Sequence, residues 1–502
     1  MMTLTAIRFF KFLPIHKPLT SLRIIFKIKQ MIHLIPLCIA FTNPVQPPSD
    51  SLPKYPAAAV ISMINDLAKE LEQGHPGYYR YHSGSSTHQY LDSLKSTITT
   101  DSLTEPDIYR KLKPFIARIG CLHTALSLPD AYVSHLNQQP NLLPLQVMFE
   151  NNQAIVTANY SGQPEPAPGT VLTAINGKST LSILDKILPA IPSDGYNLTL
   201  KYKALYHQFP LWYRSMISPD TTFILTTADN KTITLKGTRF IDIAHGGFLQ
   251  EPTYTRTLDF RINGNIAILT IHSFAASDIK KSGQHFSRFI DSAFLQLRQQ
   301  GIRQLIIDLR GNTGGTDGNA VYFTRHFFEN PFRYWERITV TPAIARQIKG
   351  IARLFYRKPV LVNGEYQWQR SKITREFNYY ATQQPATNTY TGKTFVLIDG
   401  FCMSSCADAT AVLSAHRKAV FIGEETGGGY QGNNSGMMPA VKLRPTRMML
   451  TVPLQRYVTA VDSTVNKGHG TMPDYVVPLT AKAAIEKKDQ PMELALRLAG
   501  AQ

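Results

Sequence analysis

The stretch that most constrains this chain runs from Thr394 to Gly432, where an apolar segment leads into a pair of serines and then into a helical pattern. Phe395, Val396, Leu397 and Ile398 have the length and character of a short buried strand, and Asp399-Gly400 breaks it. Ala407 to His416 carries apolar residues at helical spacing, so Ser404 and Ser405 fall at a strand-to-helix turn. Free backbone N–H groups and the positive end of the helix dipole meet at such a turn, where they can stabilise an oxyanion during acyl transfer. The same pattern has a plainer reading, because a serine at a helix start commonly serves as its N-cap.

A second segment bears on the choice. Leu305 to Arg310 is another buried strand and ends in Gly311-Asn312-Thr313-Gly314-Gly315-Thr316-Asp317-Gly318, whose glycines let backbone N–H groups approach a ligand closely. Taken in order, LIIDLRGNTGG and LIDGFCMSSCAD followed by FIGEETGGGYQGNNSG resemble the C-terminal processing (tail-specific) serine peptidase family, including its tricorn-like branch. The resemblance is good over roughly Arg261 to Pro478 and weaker before it. It implies that Gly314 or Gly315 supplies one oxyanion-hole donor and that the amide after the nucleophile, Ser405 if Ser404 attacks, supplies the other. Both flanks place the nucleophile on Ser404; the run Ser405-Cys406-Ala407-Asp408, which resembles that of chlamydial protease-like activity factor, makes Ser405 the alternative.

A serine hydroxyl is a poor nucleophile without a neighbour to take its proton. One branch of the family uses a lysine at the position of Gly429, and here no Lys or Arg lies between Lys418 and Lys442. The other uses an upstream histidine in a Gly-x-x-His-Thr setting, which matches Gly120-Cys121-Leu122-His123-Thr124. That motif directly follows a helix expected over Glu105 to Ile119, capped by Thr104, with Pro106 in its first turn and Ile108, Leu112, Phe115, Ile116 and Ile119 as its apolar stripe. His123 is therefore the expected base, against the alternative of a structural histidine past a helix C-terminus. The branch often has an acid where Cys121 or Leu122 stands, so the group that orients the imidazole must come from elsewhere. The family's acid position falls near Asn466 or Lys467, and Asp462 is the nearest carboxylate upstream and the candidate for that role.

Two features invite other functions. Gly427 to Gly432 fits G-x-G-x-x-G after a plausible strand, Ala419 to Gly423, but a dinucleotide site needs a helix next, and Asn433 to Pro439 is rich in turn residues. Cys402 and Cys406 bracket the serine turn without a partner at zinc spacing and read as small buried packers. No basic stripe interleaved with aromatics of the nucleic-acid kind is present. The reading implied by the resemblance is a peptidase that works without metal, nucleotide or other cofactor on unfolded or extended polypeptides.

The N-terminus reads as a targeting segment over residues 1–42: six Lys or Arg and no acid before Asp50, then the apolar run Met31 to Phe41, too short to span a membrane. Its removal would lower the formal net charge of +18 to +12. Ile35-Pro36-Leu37 is a poor lipoprotein context for Cys38, so soluble export, periplasmic or secreted, is favoured over a lipid anchor. Three cysteines would then remain, an odd number that forbids a fully paired framework; one bridge from Cys121 to Cys402 or Cys406 is conceivable if His123 meets Ser404.

At 502 residues and 43% hydrophobic composition the chain can bury a large core in two or three domains. After a linker over 43–56, an N-terminal helical module carrying His123 is expected over 57–140, beginning with an amphipathic helix from Ala57 to Leu71. A β-rich module with its connection follows over 141–255, with Leu142 to Lys203 as short strands and turns. Around Gly169 to Lys178 it resembles a PDZ-like module, in which a peptide adds a strand to a sheet edge; the alternative is an ordinary hairpin with an Asn-Gly turn. The peptidase core is expected over 256–480 and a C-terminal helix or tail over 481–502. Strand, helix, strand, helix, strand from Ile266 onward makes an α/β core, which the resemblance implies is the layered ββα spiral of crotonase-like folds. The resemblance thus implies an exported serine endopeptidase, and the rival is a catalytically inactive peptide- or lipid-binding protein on the same scaffold.

Overall fold

The apolar runs of the C-terminal half pair side by side in one parallel sheet. Ile266–Ile271 lies next to Gln304–Asp308, then Lys393–Ile398, Val420–Gly423 and the short Tyr475–Val476, with Leu258–Asn263 antiparallel on the far edge. The structure, a computed structural model, describes residues 52–245, 247–249, 255–354, 356–371 and 377–500, all within the compact unit His33–Gln502. The expected targeting segment and all but the last residues of the linker lie outside the described residues.

The sheet is buried on both faces, which is why its strands read as continuous rather than alternating apolar runs. The helices Phe286–Gln299 and Ser405–Ala415 belong to the main core on one side. On the other, Ala495 of the helix Gln490–Leu498 and its C-cap residue Ala499 pack against Ile266, Ile306, Phe395 and Leu397. The C-terminal segment is therefore a packed wall of the sheet rather than a loose tail, and Arg310, paired with Asp308 and with Asp489 at 2.6 Å, fastens it beside the glycine loop.

Most of the chain from Ala57 to Gln138 is helical. Glu105–Arg118 is a helix whose Thr104 and Asp107 form a capping box, and Ala57–Gly74 is the amphipathic helix before it. This stretch does not fold apart from the rest, since Ala125–Ser127 pairs with Met449–Thr451 of the C-terminal half.

Residues 145–236 form a separate antiparallel sheet. The Asn-Gly turn is a real hairpin, joining Val171–Ile175 to Lys178–Ser179 with Asn176 and Gly177 at positive φ. The expectation of strands and turns throughout Leu142 to Lys203 is corrected: Thr180–Ile187 is a helix, and so is Thr199–Met216, which packs on the strand Leu145–Glu150. Tyrosines, lysines and an internal Pro210, with a kink at Gln208, blur the helical period of that second helix.

Candidate active site

Ser404 stands between the strand Lys393–Ile398 and the helix Ser405–Ala415 in a backbone conformation that side chains rarely adopt, φ 52 and ψ −130. Such a residue costs about 1–3 kcal/mol and persists only where its surroundings impose it. The surroundings are glycines at close quarters. A Cβ on Gly314 would lie 2.8 Å from Ser404 Cβ, and one on Gly428 would lie 3.0 Å from the Ser404 amide and 2.5 Å from Ala407 Cβ. Ser404 makes no side-chain cap bond, so the plain N-cap reading fails for it. It keeps 9% of its surface, against 1% for Ser405, whose Oγ is sealed from solvent without a partner.

Two amides next to this turn are unspent. Ser405 opens the helix, where the first N–H groups have no intrahelical acceptor. Gly315 bridges Phe274 in parallel fashion through its neighbours: Phe274 donates to the Gly314 carbonyl and Thr316 donates to the Phe274 carbonyl. This leaves the Gly315 N–H without an acceptor among the described residues. Gly314 is the less suited of the two glycines expected to serve as donor, because its N–H is held by Asn312 Oδ1 at 2.9 Å. Asn312 in turn donates to the Ile271 carbonyl and accepts the Met403 amide on its own carbonyl, so the glycine loop and the serine turn are fastened together.

His123 reaches this region through a segment that sequence reasoning passed over, Ser193 to Asn197. Asp194 accepts the Leu122 amide at 3.0 Å and the Gly429 amide at 3.1 Å. Gly195 donates to the Gly120 carbonyl, Tyr196 to the Gly468 carbonyl, and Asn197 Nδ2 to the Thr426 carbonyl. One clasp thus holds the histidine loop, the glycine segment 426–429 and the loop around Gly468. The only local signal was the turn-rich Ser-Asp-Gly-Tyr-Asn itself. Leu122 joins Met403 and Leu200 in a small apolar cluster beside the serine turn. Burial holds the His123 imidazole down to about 4, partly opposed by the nearby Asn434 carbonyl, so the ring is neutral and able to accept a proton at neutral pH. Both ring nitrogens are sealed from solvent without a hydrogen-bond partner, including toward Ser404.

Lys203 of the helix Thr199–Met216 is paired with Asp399 at 3.0 Å and Glu424 at 3.6 Å. Burial opposes its charge, yet the two carboxylates outweigh burial and hold its pKa above the ordinary value. Asp399 also takes the amides of Gly311 and Phe401, tying together the two loops that flank Ser404.

Asp462 is not brought to the histidine. It is exposed and accepts the Thr464 amide and hydroxyl, as a short acid in a polar turn does. The G-x-G-x-x-G match is followed by a loop and the short strand Asn434–Ser435, not a helix. Its glycines serve proximity instead, Gly427 against the Gly400 carbonyl and Gly428 against Ser404. Cys121, Cys402 and Cys406 are all buried and free, so the conceivable bridge from Cys121 is not formed; its Sγ–H points to the Asn434 carbonyl at 3.8 Å. Among the described residues no group of three His, Cys, Asp or Glu side chains could hold a metal ion.

The fold resembles that of mature CPAF in complex with lactacystin, with a TM-score of 0.58 at 12% identity over 88% of this chain and 98% of that one. Mature CPAF alone gives a TM-score of 0.57 at 12% identity over 88% and 96%. A curated protein of Staphylococcus epidermidis, named "Probable CtpA-like serine protease", is 30% identical over 80 residues, which span 16% of this chain and 15% of that relative's length. The family model that matches is that of peptidase family S41, over residues 265–477, from the second strand of the parallel sheet to its last, with the glycine loop and the serine turn inside the match.

Proposed function

We propose that this protein is an exported serine endopeptidase of the tricorn-like kind, hydrolysing peptide bonds of unfolded or extended polypeptides with Ser404 as nucleophile and His123 as base. The observation that carries the reading is the turn itself: a strained, uncapped Ser404 at a helix start, with the unspent amides of Gly315 and Ser405 on either side. The match to the model of peptidase family S41 over residues 265–477 supports the chemistry.

In this mechanism Ser404 Oγ attacks the peptide carbonyl carbon while its proton passes to the neutral His123 ring. Charge develops on the carbonyl oxygen and is met by the two amides, which need no reorganisation to receive it. The imidazolium then protonates the departing amine as the C–N bond breaks, leaving an acyl ester on Ser404. A water molecule, deprotonated by the same ring, hydrolyses that ester and restores the enzyme. The catalytic core over 256–480 would be a ββα spiral, and the module over 141–255 a PDZ-like element that offers a sheet edge to the substrate chain. Export rests on the basic-then-apolar layout of residues 1–42; no helix among the described residues is long and apolar enough to cross a membrane.

The test is covalent labelling of the purified protein with a fluorophosphonate at neutral pH. The adduct is expected on Ser404 by mass spectrometry, absent in Ser404→Ala and slowed by a hundredfold or more in His123→Ala. An adduct on Ser405 would move the nucleophile. A folded protein that takes no label, with or without peptide, would overturn the peptidase reading in favour of a binding protein on this scaffold.

A further inference from the structure

Between Glu336 and Glu365 the chain carries no acid, and the two bounding carboxylates are already taken, Glu336 by Arg333 at 3.6 Å and Glu365 by Arg337 at 2.6 Å. Arg346, Lys349, Arg353, Arg357 and Lys358 lie inside that stretch, and all five are exposed. A run of cations with no acid interleaved makes a local positive potential that draws an anionic partner.

The same stretch ends in a hairpin. After the short 3₁₀ helix Gly350–Leu354 the Tyr356 amide donates to the Ala352 carbonyl at 2.9 Å, so the chain stays coiled up to Arg357 and Lys358 and then extends into the strand Val360–Val362. That strand pairs with Glu365–Gln367 across a turn at Asn363 and Gly364, both at positive φ. It forms the outer edge of a five-stranded sheet that continues through Trp335–Val340 and Gln455–Thr459 to Asn434–Ser435. Tyr356 rests on the buried Trp368, ring centroids 5.6 Å apart, which roots the hairpin in the core. Val360, Leu361 and Val362 nonetheless keep 49, 57 and 36% of their surface. Successive strand residues point to opposite faces, so three exposed neighbours mean that both faces of this edge stand clear of the body. Folds normally blunt such an edge with a charge or a proline within the strand, and Val-Leu-Val has neither.

We propose that this hairpin and the cations before it form a membrane-docking surface, Val360, Leu361 and Val362 entering the headgroup region of an anionic lipid layer while Arg357, Lys358 and the three cations before them meet its phosphates. Charge decides among the occupants. A second copy pairing edge to edge would bring two sets of Arg357 and Lys358 together, and like charges side by side oppose that. An extended polypeptide would gain few ladder bonds from a three-residue strand. A lipid surface offers an anionic layer and, just beneath it, an apolar one at the depth such side chains reach. At the opposite edge of the sheet the Asn434 carbonyl receives the Cys121 thiol, so docking at the hairpin leaves the histidine loop on the far side. The inference does not rest on the peptidase reading.

The test is flotation of the full chain with vesicles of phosphatidylcholine alone and of phosphatidylcholine mixed with phosphatidylglycerol. Binding to the mixed vesicles is expected to exceed that to the neutral ones by about tenfold or more and to fall as salt is raised. Leu361→Glu, and separately Arg357→Glu with Lys358→Glu, are each expected to cut it by about tenfold or more with the thermal midpoint unchanged. Leu361→Trp covers the case in which Leu361→Glu does not fold: its emission is expected to move to shorter wavelength on the mixed vesicles and to be quenched by brominated lipid. Equal binding to both kinds of vesicle, or none, overturns the proposal. So does binding that the charge variants leave intact, which would place the contact elsewhere, as in the basic N-terminal stretch. A dimer in solution that Leu361→Glu dissolves without loss of vesicle binding overturns it in favour of self-pairing. Vesicle binding lost in Leu361→Glu, in a protein that takes no fluorophosphonate, would sink the peptidase reading and leave this surface standing.

Discussion

Asp194 and Gly429 meet at 3.1 Å, carboxylate oxygen to backbone amide, while the other oxygen of the same carboxylate holds the amide of Leu122. The distance between the histidine loop and the glycines that pack on Ser404 is therefore set by a residue of the middle module. Burial pushes the Asp194 carboxyl up to about 6, against the pull of these two amides.

Asp194→Asn tests that relationship. The amide keeps one acceptor but sets an NH2 against one of two N–H groups, so one bond is replaced by a donor–donor contact costing about 1–3 kcal/mol. The fluorophosphonate labelling rate is expected to fall at least tenfold, with a lower thermal midpoint. Full retention of the rate would mean that the clasp does not position His123.

Lys203→Ala strips the partner from Asp399 and Glu424. Removing one member of a buried ion pair typically costs about 3–5 kcal/mol, and Lys203 retains some solvent contact, so about 3 kcal/mol is expected from denaturant unfolding. Because Asp399 also holds Gly311 and Phe401, labelling should slow as well. Labelling that disappears in Lys203→Ala but persists in His123→Ala would instead make Lys203 the base.

The acid side of the activity profile follows from His123. Its pKa in the folded protein is lowered to about 4, so the labelling rate should hold through pH 6 and fall only as pH approaches 4. Stability carries the same sign. Between about 4 and the unfolded value near 6.5 the unfolded chain binds the extra proton, so this contribution is full above 6.5 and is lost as pH falls toward 4. His75, lowered by burial to about 3, adds in the same direction. Thermal midpoints measured from pH 7 to 4 should therefore decline less steeply in His123→Gln than in the wild type. Asp194 works the other way: with its pKa raised to about 6, its contribution weakens as pH rises from about 4 to 6. An acid limb of labelling near 6.5 would show that the ring is solvated in the working enzyme.

Much of the scaffold is legible because its determinants are local. Short apolar runs, the Thr104 capping box and the Asn176-Gly177 turn each act within a few residues, so strands, helix and hairpin emerge where pattern places them. The helix Thr199–Met216 escapes that logic because its mixed surface and internal proline acquire a buried side only by packing on Leu145–Glu150.

The sequence by itself determined the pair of strand ends, the serines at the helix start, and the histidine in its Gly-x-x-His-Thr setting. Only the tertiary structure separated Ser404 from Ser405, since strain and access depend on Gly314 and Gly428, which arrive from other strands. It likewise drew Asp462 away into its own turn and brought Asp194 and Asn434 to the histidine loop. Neither of those two has a local signature, because a hydrogen bond between residues dozens to hundreds apart is set by how sheets and loops pack, and nothing in either neighbourhood records the other.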